Sequence, residues 1–151
     1  MMIKILVLHG PNLNMLGSRE PEIYGKTTLE QINTRLQRLA GSLGGEVEAF
    51  QSNSEGELID LIQKKGAASD GLIVNLGAFT HYSIALRDAI SWLAKPTIEV
   101  HISNIYAREP FRHTSVTAPV CRGMITGLGW RGYLFALEAL LGLLQEGEEI
   151  S

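Results

Sequence analysis

His9-Gly10-Pro11-Asn12, Asn75-Leu76-Gly77-Ala78-Phe79-Thr80-His81 and Glu99-Val100-His101-Ile102-Ser103-Asn104 gather amides, imidazoles and a carboxylate into three short clusters. Each sits at the end of an apolar run that reads as a β-strand. A buried core has little use for such groups, whereas open parallel sheets bind ligands outside the carboxyl ends of their strands. Glu99 and His101 are two apart on one strand, so their side chains leave the same face. A carboxylate beside an imidazole fixes its tautomer and favours the protonated form that serves as an acid. A structural ion pair closing the strand end is the other reading. Arg19 and Tyr24 lie in the long loop after the first strand, where a tyrosine is either amphipathic cover or, with arginines around the phenol to favour the phenolate, a base. Arg108 and Arg112 flank Glu109-Pro110-Phe111, either as a solvated loop or as a fork for a carboxylate.

Other polar groups are harder to place. His81 and Asp88 are seven apart on what reads as one helix, about 10 Å apart along its axis at ~1.5 Å per residue. That separation is too great for one small substrate. Asp88 is then a solvated acid beside Arg87, or it reaches a site in a neighbouring subunit. His9 and His113 show no partners in the pattern and read as structural or peripheral. The four histidines lack the His-x-x-x-His or Cys-x-x-Cys spacing of a metal centre, so no metal is expected. No lysine looks desolvated enough for imine chemistry. Gly127-Leu128-Gly129-Trp130-Arg131-Gly132 matches G-x-G-x-x-G but sits in the last unit, with no following strand to carry a ribose-binding acid. Those glycines read as a tight strand-to-helix turn.

The elements that must position these groups follow from periodicity. Strands are expected at 3–8, 46–50, 71–76, 97–102 and 124–128. Helices are expected from a Thr28 cap to Leu43, and over 55–65, 80–93 and 130–145. Trp130, Leu134, Leu137, Leu141 and Leu144 mark the inner stripe of the last helix. Five strands alternating with helices imply a parallel sheet covered on both faces. The chain has 151 residues, 45% of them hydrophobic and 19% charged, which is an ordinary single globular domain. A net charge of -3 supplies no basic field for nucleic acid. One cysteine suits a reducing compartment, and neither a signal peptide nor an apolar run of membrane-spanning length is seen, so a cytoplasmic protein is expected.

Read together, the motifs resemble the type II 3-dehydroquinate dehydratases (type II dehydroquinases) over nearly the whole chain. They are His9-Gly10-Pro11-Asn12-Leu13-Asn14, Arg19-x-Pro21-x-x-Tyr24-Gly25, Asn75-x-Gly77-Ala78-x-Thr80-His81, Ala85-Leu86-Arg87-Asp88, Glu99-Val100-His101-x-Ser103-Asn104 and Ala107-Arg108-Glu109-Pro110-Phe111-Arg112. Leu76 departs from a common proline. The resemblance implies a flavodoxin-like three-layer α/β sandwich with a five-stranded parallel sheet. It implies one catalytic domain, residues 1–151, with a lid loop at about 17–26. The implied reaction is an anti elimination of water from 3-dehydroquinate through an enolate, giving 3-dehydroshikimate without a cofactor, in aromatic biosynthesis or quinate breakdown. By the same resemblance Tyr24 is the base, Arg19 stabilises its phenolate, Asn12 stabilises the enolate through a water, and His101, oriented by Glu99, is the acid. Asn75 and the backbone amides of Ile102 and Ser103 bind the substrate carboxylate. His81 and Arg112 hold ring hydroxyls, Asp88 does so from a neighbouring subunit, and Arg108 closes with the loop. The assembly implied is a dodecamer built from trimers. A receiver-like or flavin-binding module of the same fold is the rival, but it wants acidic residues or a Ser/Thr-rich phosphate loop where this chain has His9-Gly10-Pro11-Asn12.

Overall fold

The computed structural model describes residues 2–18 and 20–147. Five strands form one parallel sheet: β1 (Ile3–His9), β2 (Gly45–Gln51), β3 (Gly71–Asn75), β4 (Thr97–His101) and β5 (Gly123–Thr126). Their order is β2-β1-β3-β4-β5, the flavodoxin-like winding, whose crevice opens beyond the carboxyl ends of β1 and β3. The helices are α1 (Pro21–Tyr24), α2 (Leu29–Ser42), α3 (Glu55–Lys64), α4 (Ile84–Leu93) and α5 (Arg131–Gln145).

Strand pleat sorts the side chains into two cores. Ile5 and Val7 of β1, Ile73 of β3, and Ile98 and Val100 of β4 pack with Leu36 of α2 and Leu137 and Leu140 of α5. Leu6, Leu8, Leu72 and Val74 point the other way, against Leu58 and Ile62 of α3 and Leu86 and Ile90 of α4. The same alternation carries His9 and Asn75 to the α2/α5 side, while Glu99 and His101 leave β4 on the opposite face from Val100.

The expected cap at the start of α2 is present, and two further helices are capped by serines. Thr28 and Gln31 form a reciprocal capping box on α2. Ser54 and Ser83 cap α3 and α4 through their hydroxyls. The expected helix over 80–93 is two elements: a 3-10 turn, Gly77–His81, and then α4 starting at Ile84 behind the Ser83 cap. His81 and Asp88 therefore do not share a helix, and the spacing argument for a second subunit loses its premise. The inner face of α5 is Tyr133, Ala136, Leu137, Leu140 and Leu141, with Trp130, Leu134 and Leu144 only partly buried at its margins. The loop after β1 is structured by a 3-10 turn at Leu13–Met15, which buries Leu13, and by α1.

Gly10 permits the closest approach in this region. A Cβ there would lie 2.4 Å from the Leu76 carbonyl carbon, and the Gly10 N–H donates to the Asn75 carbonyl at 2.7 Å. The β1 loop is thereby laid across the end of β3. Gly10→Ala should cost about 1–3 kcal/mol as an overpacking change. Chemical denaturation will read it as a lower midpoint with an unchanged slope.

Candidate active site

Beyond the sheet's carboxyl edge lies a cavity of about 120 Å³ whose lining includes Asn12, Tyr24, Asn75, His101, Ile102 and Arg112. The first-strand loop supplies Asn12, whose backbone is left-handed (φ 71°) and whose N–H is held by Asn53 Oδ1 at 2.9 Å. Tyr24, at the end of α1, accepts a hydrogen bond from Arg108 Nη1 at 2.9 Å, and the same guanidinium donates to Ser103 Oγ at 3.2 Å. Loops from two ends of the chain thus meet at the phenol oxygen. Arg112 is anchored through its Nε to Glu109 Oε1 at 2.8 Å, with Arg108 Nε 3.8 Å from the same oxygen. Glu109 is held below the usual carboxylate range by its own backbone N–H and by Arg112.

Glu99 is fully buried on β4. His101 Nε2–H donates to its Oε2 at 2.7 Å, Ser115 Oγ donates to Oε2 at 2.8 Å, and Thr117 Oγ1 donates to Oε1. Thr80, Ser115 and Thr117 are themselves linked through their hydroxyls at 2.7–3.2 Å. Burial opposes the charged carboxylate, but these donors and the imidazole outweigh it and hold Glu99 below the ordinary value of 4.5. Since Nε2 is committed to Glu99, Nδ1 is the His101 nitrogen left for chemistry.

His81 stacks beside His101, with ring centroids 6.4 Å apart and planes at 18°. Its Nδ1–H donates to the Thr114 carbonyl at 2.8 Å. Burial, then the neighbouring His101 and Arg112 charges, lower its pKa against the opposing pull of Thr114 and Glu99. The neutral ring presents Nε2 as an acceptor, suited to a hydroxyl. Among the described residues, the N–H groups of Ile102 and Ser103 find no protein acceptor, so the turn after β4 offers two adjacent donors for an anion.

Most of the site residues expected from sequence converge here. Tyr24, Asn75, His101, Ile102 and Arg112 line the cavity, while His81 and Ser103 flank it. Arg19 lies outside the described residues. Asp88 is exposed on α4 and is not among the cavity's lining residues. His9, expected to lack partners, is fully buried and bonded to Tyr133 and Asn33. Ser115 and Thr117 are site residues that sequence reasoning does not single out. Their signal is the cluster of hydroxyls in Thr114-Ser115-Val116-Thr117, a source of donors for a buried strand carboxylate. Gly127 and Gly129 both have positive φ at the turn into α5, as the glycine reading expects.

The comparisons with known proteins agree with this geometry. The family described as Dehydroquinase class II matches residues 3–141. A 3-dehydroquinate dehydratase of Roseiflexus castenholzii is 61% identical over 145 residues, covering 96% of this chain and 92% of that one. One from Pelotomaculum thermopropionicum is 60% identical, covering 93% and 98%. The crystal structure of a type II dehydroquinase from Propionibacterium acnes superposes with a TM-score of 0.89 at 46% identity, covering 94% and 98%.

The hydroxyl donors set the acid behaviour of this site. Because Glu99 titrates below its ordinary value when folded, it stabilises the protein above pH about 4.5 and that contribution is lost as pH falls through the lower folded value. Thr117→Val removes one donor at nearly constant shape and should raise the folded value. Its acid unfolding, followed by circular dichroism, should begin at higher pH than that of the unaltered protein.

Proposed function

The chain belongs to the class II dehydroquinase family, a 3-dehydroquinate dehydratase family of hydro-lyases in the shikimate pathway, and on that premise we propose how its own residues divide the reaction. The observation that carries the proposal is that Tyr24 and His101 border one small cavity with a guanidinium bonded to the phenol oxygen. Tyr24, as phenolate, takes the proton from the carbon beside the substrate ketone. Arg108 holds that oxygen by a charge-assisted hydrogen bond, and Arg19 is assigned to the same charge by the family motif. Electrons move onto the ketone oxygen as an enolate, which Asn12 stabilises through a water. They return to form the carbon–carbon double bond as the carbon–oxygen bond of the tertiary alcohol breaks. His101 gives its Nδ1 proton to the departing hydroxyl, which leaves as water. Base and acid come from separate elements, α1 and β4, and the anti course is assigned from the family.

Binding follows the same logic. The substrate carboxylate is assigned to Asn75 and to the N–H groups of Ile102 and Ser103. His81 and Arg112 take ring hydroxyls, the first as an acceptor and the second as a donor. The whole chain acts as one catalytic domain without cofactor or metal, and the segment 17–26 closes over the substrate. No group of His, Cys, Asp or Glu among the described residues has the arrangement of a metal site.

Asp88 belongs in this account as a ligand offered to a neighbouring subunit within a dodecamer built from trimers. Its helix carries apolar side chains that an assembly would cover: Trp92 is 77% exposed and Ile84 is uncovered, with Tyr82 exposed just before the helix. A cytoplasmic setting is proposed from the single cysteine. No helix among the described residues is long and apolar enough to cross a membrane.

Purified protein mixed with 3-dehydroquinate should generate the ultraviolet absorbance of a conjugated enone, unaffected by EDTA. Tyr24→Phe should lower kcat by about 10²–10⁴-fold, the usual contribution of a general base, with the fold retained by circular dichroism. A near-normal kcat would remove Tyr24 from that role. Light scattering of the active protein should give a mass near twelve chains, and active monomers would contradict the assembly.

A further inference from the structure

One buried titratable group takes no part in the steps above. His9 is fully buried at the end of β1, and its pKa is lowered by burial to about 4 against a side-chain hydrogen bond with Asn33. Such a ring is costly to place in a core unless both of its nitrogens are bonded. His9 Nε2 lies 2.8 Å from Asn33 Oδ1, and Nδ1 lies 2.9 Å from Tyr133 Oη. Tyr133, wholly buried on α5, in turn receives the Asn75 Nδ2–H at 3.0 Å. Asn75 Oδ1 accepts the Gly77 N–H at 3.2 Å. The chain runs from α2 through β1 and α5 to the cavity wall.

Every bond in this chain has a single consistent polarity. The Gly77 N–H can only donate, so the atom facing it is the Asn75 oxygen, and the nitrogen must face Tyr133. Tyr133 Oη then accepts from Asn75 and has its own hydrogen free to give. The neutral His9 ring faces the Asn33 oxygen, an acceptor, through Nε2, so Nδ1 is its unprotonated nitrogen and takes that hydrogen. The His9 proton therefore sits on Nε2, where the Asn33 oxygen receives it. Four residues from separate elements agree on one orientation.

We propose that Tyr133, set by His9 and Asn33, is a positioning residue that fixes the Asn75 carboxamide with its second N–H turned into the cavity. A side-chain amide left to itself can present either a donor or an acceptor. Locked in this sense, the subsite takes an acceptor oxygen such as a carboxylate and disfavours a donor in the same place. The opposite orientation would set the amide oxygen against a substrate anion. This rests on the assignment of Asn75 to the substrate carboxylate.

The test compares Tyr133→Phe, Asn75→Ala and the double variant for KM and kcat with 3-dehydroquinate. Loss of a positioned donor to an anion in the ground state should raise KM with kcat little changed. Tyr133→Phe should raise KM about tenfold, the lower end expected for a hydrogen bond to a charged group, and should add nothing in the Asn75→Ala background. A structural role alone would instead lower the melting temperature and leave KM in place. If Asn75→Ala raises KM while folded Tyr133→Phe does not, the positioning proposal fails and the Asn75 assignment stands. If Asn75→Ala leaves KM unchanged, the assignment fails and takes the proposal with it. Nitrogen-15 spectra of His9 in the unaltered protein need no variant to fold. They should show a neutral ring protonated on Nε2 at neutral pH, and a ring protonated on Nδ1 would overturn the polarity and the proposal.

Discussion

A carboxylate with no solvent exposure governs the working end of this molecule. Glu99 sits on the interior strand β4, where an ionised group is tolerated only if it is surrounded by donors. Three donors come from one imidazole and two hydroxyls, and the hydroxyls come from the loop between β4 and β5. Satisfying Glu99 therefore folds that loop back over its own strand. The same closure brings Arg108 to Tyr24 and Arg112 to the cavity. The orientation of His101 and the partner of Tyr24 are in this sense consequences of one buried charge.

Sheet geometry keeps the two polar systems apart. Alternation along β4 sends Glu99 and His101 to the face opposite Val100, where Thr80, Ser115 and Thr117 receive them. Alternation along β1 and β3 sends His9 and Asn75 to the α2/α5 side, where Tyr133 and Asn33 receive them. The two systems come together at the cavity, whose lining includes both His101 and Asn75. Each can then hold its own protonation pattern: an ionised carboxylate on one side, a neutral ring on the other. The mutual position of the loops is set by close backbone contact as well, since Gly10 leaves no room for a side chain against Leu76.

Much of this is legible in the amino-acid sequence alone. Buried strands announce themselves as unbroken apolar runs, and the Thr28 to Gln31 capping box marks the start of α2. The cluster residues at strand ends are recognisable because amides and imidazoles are out of place in a core. What escapes is long-range or conformational. Tyr133 reads as one more apolar helix residue, and nothing local links it to His9, 124 positions away. Thr117 and Ser115 lie in a loop whose path is dictated by Glu99 rather than by its own sequence. The 3-10 turn before α4 merges with it into a single expected helix because Tyr82, Leu86 and Ala89 keep a helical rhythm across the Ser83 cap. That merger is the source of the mistaken spacing argument for Asp88.

In the proposed reaction, ionised Glu99 equips His101 to act as the acid. Glu99→Gln tests it most directly, because the substitution keeps the size of the side chain and removes the charge. The measurement is kcat for 3-dehydroquinate, taken with circular dichroism and melting data that report folding. A folded Glu99→Gln protein should lose about 10²–10⁴-fold in kcat, the range of a general acid that has lost its partner. A folded variant with kcat within a few-fold of the unaltered protein would show that His101 does not depend on the Glu99 charge.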